Sequence, residues 1–335
     1  MTLAFVCGCA GAALTPEERA FLRDARPWGL ILFKRNVVDR EQLRALIRSF
    51  RDCLGRADAP ALIDQEGGRV QRMGPPLWPA YPAAARFEGA SAPARAAWLA
   101  ARLIAHDLGE VGITIDCAPV LDVADAGAHA VIGERAFSRA PERVAALGRA
   151  VCGGLIAGGV LPVVKHIPGH GRARADSHLE LPIVAASRSE LAARDFAPFA
   201  ALSDAPMAMT AHVVFSAIDP GSPATTSPIV VREIIRGAIG FDGLIVSDDL
   251  SMKALSGPLA ARARAAFAAG LDIALHCNGD LTEARAVAEA APELAGASLR
   301  RADAALARIA SGAQPFDVAA GRAELAASLP AQTTA

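Results

Sequence analysis

Short apolar runs rich in β-branched residues recur along the chain, and longer stretches with helix-like periodicity separate them. The runs are Leu3 to Cys7, Leu30 to Phe33, Ala61 to Asp64, Thr114 to Val120, Val160 to Lys165, Met207 to Val214, Leu244 to Ser247 and Ile273 to His276. Helix-start signals fall between them. Thr15-Pro16-Glu17-Glu18 and Ser187 to Glu190 read as capping boxes, and Pro141, Pro228 and Pro258 suit first-turn positions. Strands that are apolar throughout are buried on both faces, and helical crossovers make them parallel. Eight such units close most economically into a single-domain (β/α)8 barrel of the TIM type, with its active site at the C-terminal ends of the strands. A doubly wound open sheet is the alternative topology. The barrel is expected over residues 1–314, with 315–335 a C-terminal tail frayed at its end.

Length is compatible with one large domain, because α/β barrels run well past 200 residues as single units. Of the 335 residues, 53% are hydrophobic and 21% charged, which supplies a closed core and argues against disorder. A net charge of −1 lacks the clustered positive excess of a polyanion binder, so no nucleic-acid partner is expected. No GxGxxG or GxxxxGK loop opens a helix, which weakens a nucleotide-binding reading. The longest uncharged stretch, Ala150 to Val164, is too short and too glycine-rich to span a bilayer, so no membrane partner is expected either. The N-terminal apolar run has no Lys or Arg before it, unlike a secretory leader, and the six cysteines are scattered, several within strand-like runs. Together these point to the cytoplasm.

Polar residues at the C-terminal ends of barrel strands are the first suspects for chemistry. Asp64 ends the third run in Leu62-Ile63-Asp64-Gln65-Glu66-Gly67-Gly68, with Arg72 eight residues on, and Asp248 and Asp249 end the seventh. The fifth ends in Lys165-His166-Ile167-Pro168-Gly169-His170-Gly171, followed by Asp176-Ser177-His178. One such charge is ordinarily a helix cap or a solvated side chain, but three strands ending this way weaken that explanation. His166 and His170 have i, i+4 spacing without the Glu of HExxH, and Pro168, Gly169 and Gly171 demand an irregular loop, so no metal is expected. Asp176 and His178 are one residue apart, close enough for the carboxylate to hold one ring nitrogen and leave the other for a substrate.

The stretches KHIPGHGRARADSHLELP, LIDQEGGRVQR, IGERAFS and LIVSDDLSMKA resemble family-three glycoside hydrolases of the bacterial β-N-acetylglucosaminidase type. The resemblance runs from about Leu3 to His276. It implies a retaining enzyme without cofactor that removes terminal β-linked N-acetylglucosamine from peptidoglycan-derived fragments, with a small carbohydrate as its partner. It also implies that Asp248 is the nucleophile, that His178 with Asp176 is the acid/base pair, and that Asp64, Arg72, Arg135, Lys165 and His166 bind the sugar. A histidine acid departs from the usual pair of carboxylic groups. Phosphorolysis by the same residues is a second reading, since a neutral base repels phosphate less than a carboxylate does; a non-catalytic sugar-binding barrel is a third. Asp249 is expected to start the next helix or to support the site from behind rather than to act as a second nucleophile, and His170 to be structural, while His212 is left open between lining the pocket and not.

Overall fold

The structure, a computed structural model, describes residues 1–127, 129–177 and 179–330. Its centre is a closed barrel of eight strands: β1 (Leu3–Cys7), β2 (Pro27–Leu32), β3 (Ala61–Ile63), β4 (Ile115–Asp116), β5 (Leu161–Ile167), β6 (Met207–Thr210), β7 (Leu244–Asp249) and β8 (Ile273–His276). Every neighbouring pair is parallel. Because β1 pairs with both β2 and β8, the sheet has no edge, and the open-sheet alternative falls. The (β/α)8 expectation holds.

Alternation along the strands divides the core into two layers, as the two-residue side-chain period of a strand requires. Val6, Ile31, Leu62, Ile115, Val163, Val246 and Leu275 fill the barrel interior. Their neighbours Cys7, Leu32, Ile63, Val164, Ile245 and Ala274 face the helices. Continuing five of these seven by two residues gives Phe33, Asp64, Lys165, Asp248 and Cys277, which line one cavity at the C-terminal mouth. The strand period therefore decides which polar residues point into the site.

Helices α1 (Pro16–Ala25), α2 (Arg40–Leu54), α3 (Pro93–Val111) and α4 (Pro141–Ala157) follow the first four strands. Thr15 caps α1 with its side chain on the Glu18 N–H, and the Glu18 carboxylate returns to the Thr15 N–H, completing the box read from the sequence. On α2 the buried positions Leu43, Leu46, Ile47, Phe50 and Leu54 recur at helical spacing and turn one stripe to the barrel. The α3/α4 contact is close because Gly154 lies against the Trp98 carbonyl, where a Cβ has no room. Among the described residues no helix is long and apolar enough to cross a membrane.

Several boundaries differ from the sequence reading, β2 among them, which starts at Pro27 rather than Leu30. The fourth strand is short because Pro119 offers no N–H to the ladder, although Ala118, Pro119 and Leu121 still bond to β5 through their other backbone groups. The sixth ends at Thr210, and Val214–Phe215 pairs instead with Ile183–Val184 beside the barrel. The segment from Pro315, expected as a tail, forms a helix over Val318–Ser328 capped by Asp317. That helix docks on α3: Arg95 grips Glu324 at 2.7 and 2.8 Å, and Arg322 lies 3.2 Å from the buried Asp107.

Candidate active site

The cavity at the mouth measures about 370 Å³. Four carboxylates, Asp64, Glu66, Asp248 and Asp249, and four cations, Arg69, Arg72, Arg135 and Lys165, line it. Lys165 is 2% exposed and stands 2.8 Å from Asp64 Oδ1 and 2.6 Å from Glu66 Oε1. Arg72 Nη2 reaches the other Asp64 oxygen at 3.0 Å, and the Arg135 fork meets both Glu66 oxygens at 2.8 Å. Burial alone would raise Asp64 and Glu66, but Lys165 with Arg72 on one and Lys165 with Arg135 on the other hold both below the usual carboxylate range. Burial would likewise lower Lys165, and the two carboxylates instead push it up. The cluster is thus fully ionised and fixed in direction.

A small hairpin carries part of it. Gln65–Gly67 pairs antiparallel with Val70–Gln71, and the turn uses positive φ at Gly67 and Gly68. The Gln65 amide accepts from the Arg72 and Met73 N–H groups at 3.0 Å each and donates to the Met73 carbonyl at 2.7 Å. Its own N–H is held by Asp116 at 3.0 Å. Arg72 is therefore aimed by the hairpin rather than by its own long side chain.

Asp248 stands at the end of β7, with one oxygen accepting the Asp249 N–H at 2.8 Å. Burial opposes its ionisation but is outweighed by the rings of His166 and His212, that N–H and Lys165, so its carboxyl lies below the ordinary range. Asp249, also on the cavity wall, accepts from Ser251 N at 3.0 Å, from Ser251 Oγ at 2.6 Å and from Cys277 N at 3.2 Å, bracing β7 against β8. His212 is fully buried behind the nucleophile candidate, between Thr225 Oγ1 at 2.7 Å and the Asp249 carbonyl at 3.0 Å, and burial lowers its pKa. It belongs to the core rather than the pocket wall.

The loop after β5 wraps around Asp122, which is fully buried. One of its oxygens is 2.7 Å from His166 Nδ1; the other accepts the His170 N–H at 2.6 Å and the His166 N–H at 3.3 Å. His170 is pushed down to about 4 by burial, and its Nε2 lies 3.1 Å from Ser177 Oγ. Ser177 lines the cavity, and Asp176 beside it is half-buried. His178 lies outside the described residues.

Of the residues singled out from the sequence, Asp64, Arg72, Arg135, Lys165, His166 and Asp248 converge on one cavity. Two participants were missed. Glu66 was legible, since it lies two residues beyond Asp64 in the same LIDQEGG stretch. Asp122 was legible by the rule already applied, because it ends the apolar run Ala118 to Leu121 just as Asp64 and Asp248 end theirs.

The glycosyl hydrolase family 3 N-terminal domain matches residues 7–311. A beta-hexosaminidase of Methylococcus capsulatus is 44% identical over 273 residues, covering 80% of each chain. A beta-hexosaminidase of Pseudomonas aeruginosa is 42% identical over 297 residues, 87% of this chain and 84% of that one. Among solved structures, NagZ from Neisseria gonorrhoeae in complex with N-trifluoroacetyl-D-glucosamine superposes with a TM-score of 0.86 at 36% identity, over 97% of both chains.

Proposed function

The chain belongs to glycosyl hydrolase family 3, and from that premise we propose that it is a retaining exo-β-N-acetylglucosaminidase acting on peptidoglycan-derived fragments in the cytoplasm. The observation that carries this reading is Asp248. It is an ionised carboxylate with one oxygen tied to the Asp249 N–H and the other open to a cavity at the small end of the roughly 300–1,000 Å³ typical of ligand pockets. Such a pocket suits the single sugar unit that ends a chain. Asp64 and Glu66 are already committed to Lys165, Arg72 and Arg135 and serve as acceptors for sugar hydroxyls, while the cations donate.

In this mechanism Asp248 attacks the anomeric carbon as His178 gives its proton to the departing glycosidic oxygen. Water then enters, His178 takes its proton, and the Asp248 ester bond breaks to release sugar of unchanged configuration. Asp176 orients the His178 ring and stabilises its charged form. Phe33, Met209, Met252 and Leu275 on the cavity wall suit the apolar faces of a sugar ring and its acetamido methyl. All six cysteines are unpaired and buried, which suits a reducing compartment.

The test is incubation of the purified chain with N-acetylglucosamine β-1,4-linked to an anhydro-muramyl peptide, followed by mass analysis with and without phosphate. Free N-acetylglucosamine in both arms is the expected product. A sugar phosphate in one arm assigns phosphorolysis instead, and no cleavage in either removes the substrate.

A further inference from the structure

Asp122 has no place in the chemistry just described, yet its carboxylate holds two residues of the cavity wall, His166 and His170. The chain delivers it there by pairing: Val120 bridges Lys165, and the Leu121 N–H donates to the Lys165 carbonyl at 2.6 Å, so residues 120–122 run alongside 165–166. Gly171 closes the loop onto this segment, lying against the Val123 carbonyl where a Cβ would collide. The Asp122 carboxylate ends inside that turn, 2.7 Å from His166 Nδ1, with the His166 and His170 N–H groups both on its second oxygen.

Two backbone N–H groups donate to one oxygen of this buried carboxylate, and His166 Nδ1 faces the other. Burial works to raise Asp122, but His166 and the N–H contacts hold it below the usual range, so it is an ionised group that can only accept. The hydrogen in the His166 contact therefore sits on Nδ1. In the neutral form of the ring, which carries one hydrogen, Nε2 is then a bare acceptor, and the His166 ring lines the cavity. From His170 the same anchorage continues through Nε2 to Ser177, the residue between Asp176 and His178 in the chain.

We propose that Asp122 is a positioning residue that locks His166 in the Nδ1–H form, so that Nε2 meets a sugar hydroxyl as an acceptor. The sugar half of this rests on reading the cavity as an N-acetylglucosamine site. The tautomer half does not.

Asp122→Asn tests both. Two backbone N–H groups face one oxygen position, so the amide must keep its oxygen there and turn its NH2 toward His166. That group donates to Nδ1 and drives the hydrogen to Nε2, replacing an acceptor with a donor at the cavity wall. Nitrogen-15 NMR of labelled histidines, above the imidazole titration range, is expected to show Nδ1–H at His166 in the native protein and Nε2–H in the variant. Affinity for N-acetylglucosamine, measured by calorimetry, is expected to fall about 10-fold, because an acceptor facing a sugar hydroxyl becomes a donor and that hydrogen bond is lost. The unfolding midpoint should stay within a few degrees, because volume and two hydrogen bonds are kept. In a His166→Ala background the same substitution should cost far less affinity, since its effect passes through that ring. An unchanged tautomer overturns the proposal, and so does a switched tautomer with undiminished affinity. If the native protein binds no N-acetylglucosamine, the functional reading and the sugar half fail together, and the tautomer measurement judges the positioning half alone.

Discussion

Asp248 and Asp272 lie at opposite ends of the same barrel wall, one finishing β7 and the other just before β8, and they are used in opposite ways. Asp272 is 2% exposed and saturated: Arg236 at 2.8 Å, Arg301 at 3.1 Å, Ser298 Oγ at 2.7 Å and the Ile245 N–H at 2.9 Å share its two oxygens. Asp248, among the described residues, has the Asp249 N–H at 2.8 Å on one oxygen and the cavity beside the other. A buried carboxylate whose every lone pair is occupied can hold a fold together but cannot attack anything. One kept ionised by neighbours that do not cover it retains a nucleophilic oxygen, so the C-terminal end of the barrel is where unused hydrogen-bonding capacity has been left.

The comparison breaks most sharply at Asp248→Ala, which is expected to lower kcat by about 10⁴-fold or more while leaving the unfolding midpoint near that of the native chain. Azide should restore part of the activity and yield an α-glycosyl azide from the β-glycoside. A rate near native without azide would remove the nucleophile assignment.

Asp272→Ala should do the reverse. It strips Arg236 and Arg301 of their partner, so denaturant melts should show a loss of about 3–5 kcal/mol, while kcat of the remaining folded fraction stays close to native. A variant as stable as the native chain would mean that the N-terminal cluster is decorative.

Lys165→Met joins the two behaviours, because Lys165 is buried like the N-terminal ion pairs yet faces the cavity. We expect about 3 kcal/mol of destabilisation at neutral pH together with a large loss of activity. Asp64 and Glu66 are held below their ordinary range, so the stability they confer is present above about pH 4, where they are ionised in the unfolded chain too. It is lost as pH falls through their folded values, because the unfolded state takes up protons first. Without Lys165 those depressions shrink. Melts from neutral to acid pH should therefore show the gap between native and variant narrowing on the acid side; a constant gap would contradict the electrostatic account.

The smallest effect is expected at Asp242→Asn. Asp242 is nine-tenths exposed, and its 3.0 Å pair with Arg301 sits on the rim, so solvent screening should leave under about 0.5 kcal/mol in a melt. A loss as large as that of Asp272→Ala would show that exposure is not what separates the two groups.

The sequence carried the fold because the strand signal was repeated eight times and each run was apolar throughout, as a two-sided burial requires. Its errors fall where backbone chemistry outranks hydrophobicity. Pro119 cuts short a run that hydropathy alone extends to Val120, and Val213 to Phe215 are as apolar as a barrel strand but leave the barrel for a separate pair. Charged residues at strand ends were legible because strand parity sends Asp64, Lys165 and Asp248 inward after Leu62, Val163 and Val246. Glu66 and Asp122 were within reach of the same strand-end rule and were missed; what the sequence does not carry is which partners they hold, because pairing between distant segments leaves no local trace. Arg135 is 69 residues from Glu66, and His166 is 44 from Asp122.

The most direct measurement of the central claim is chemical trapping. An N-acetylglucosaminyl fluoride carrying fluorine at C5 forms the glycosyl-enzyme quickly and releases it slowly, so digestion and tandem mass spectrometry can locate the sugar on the chain. The account predicts one sugar per chain, esterified to Asp248 within the peptide that spans Leu244 to Leu250, with proton NMR of normal turnover showing the β-anomer as the first product. A label on Asp64 or Asp249, or an α-anomer released first with no trapped ester, would contradict it.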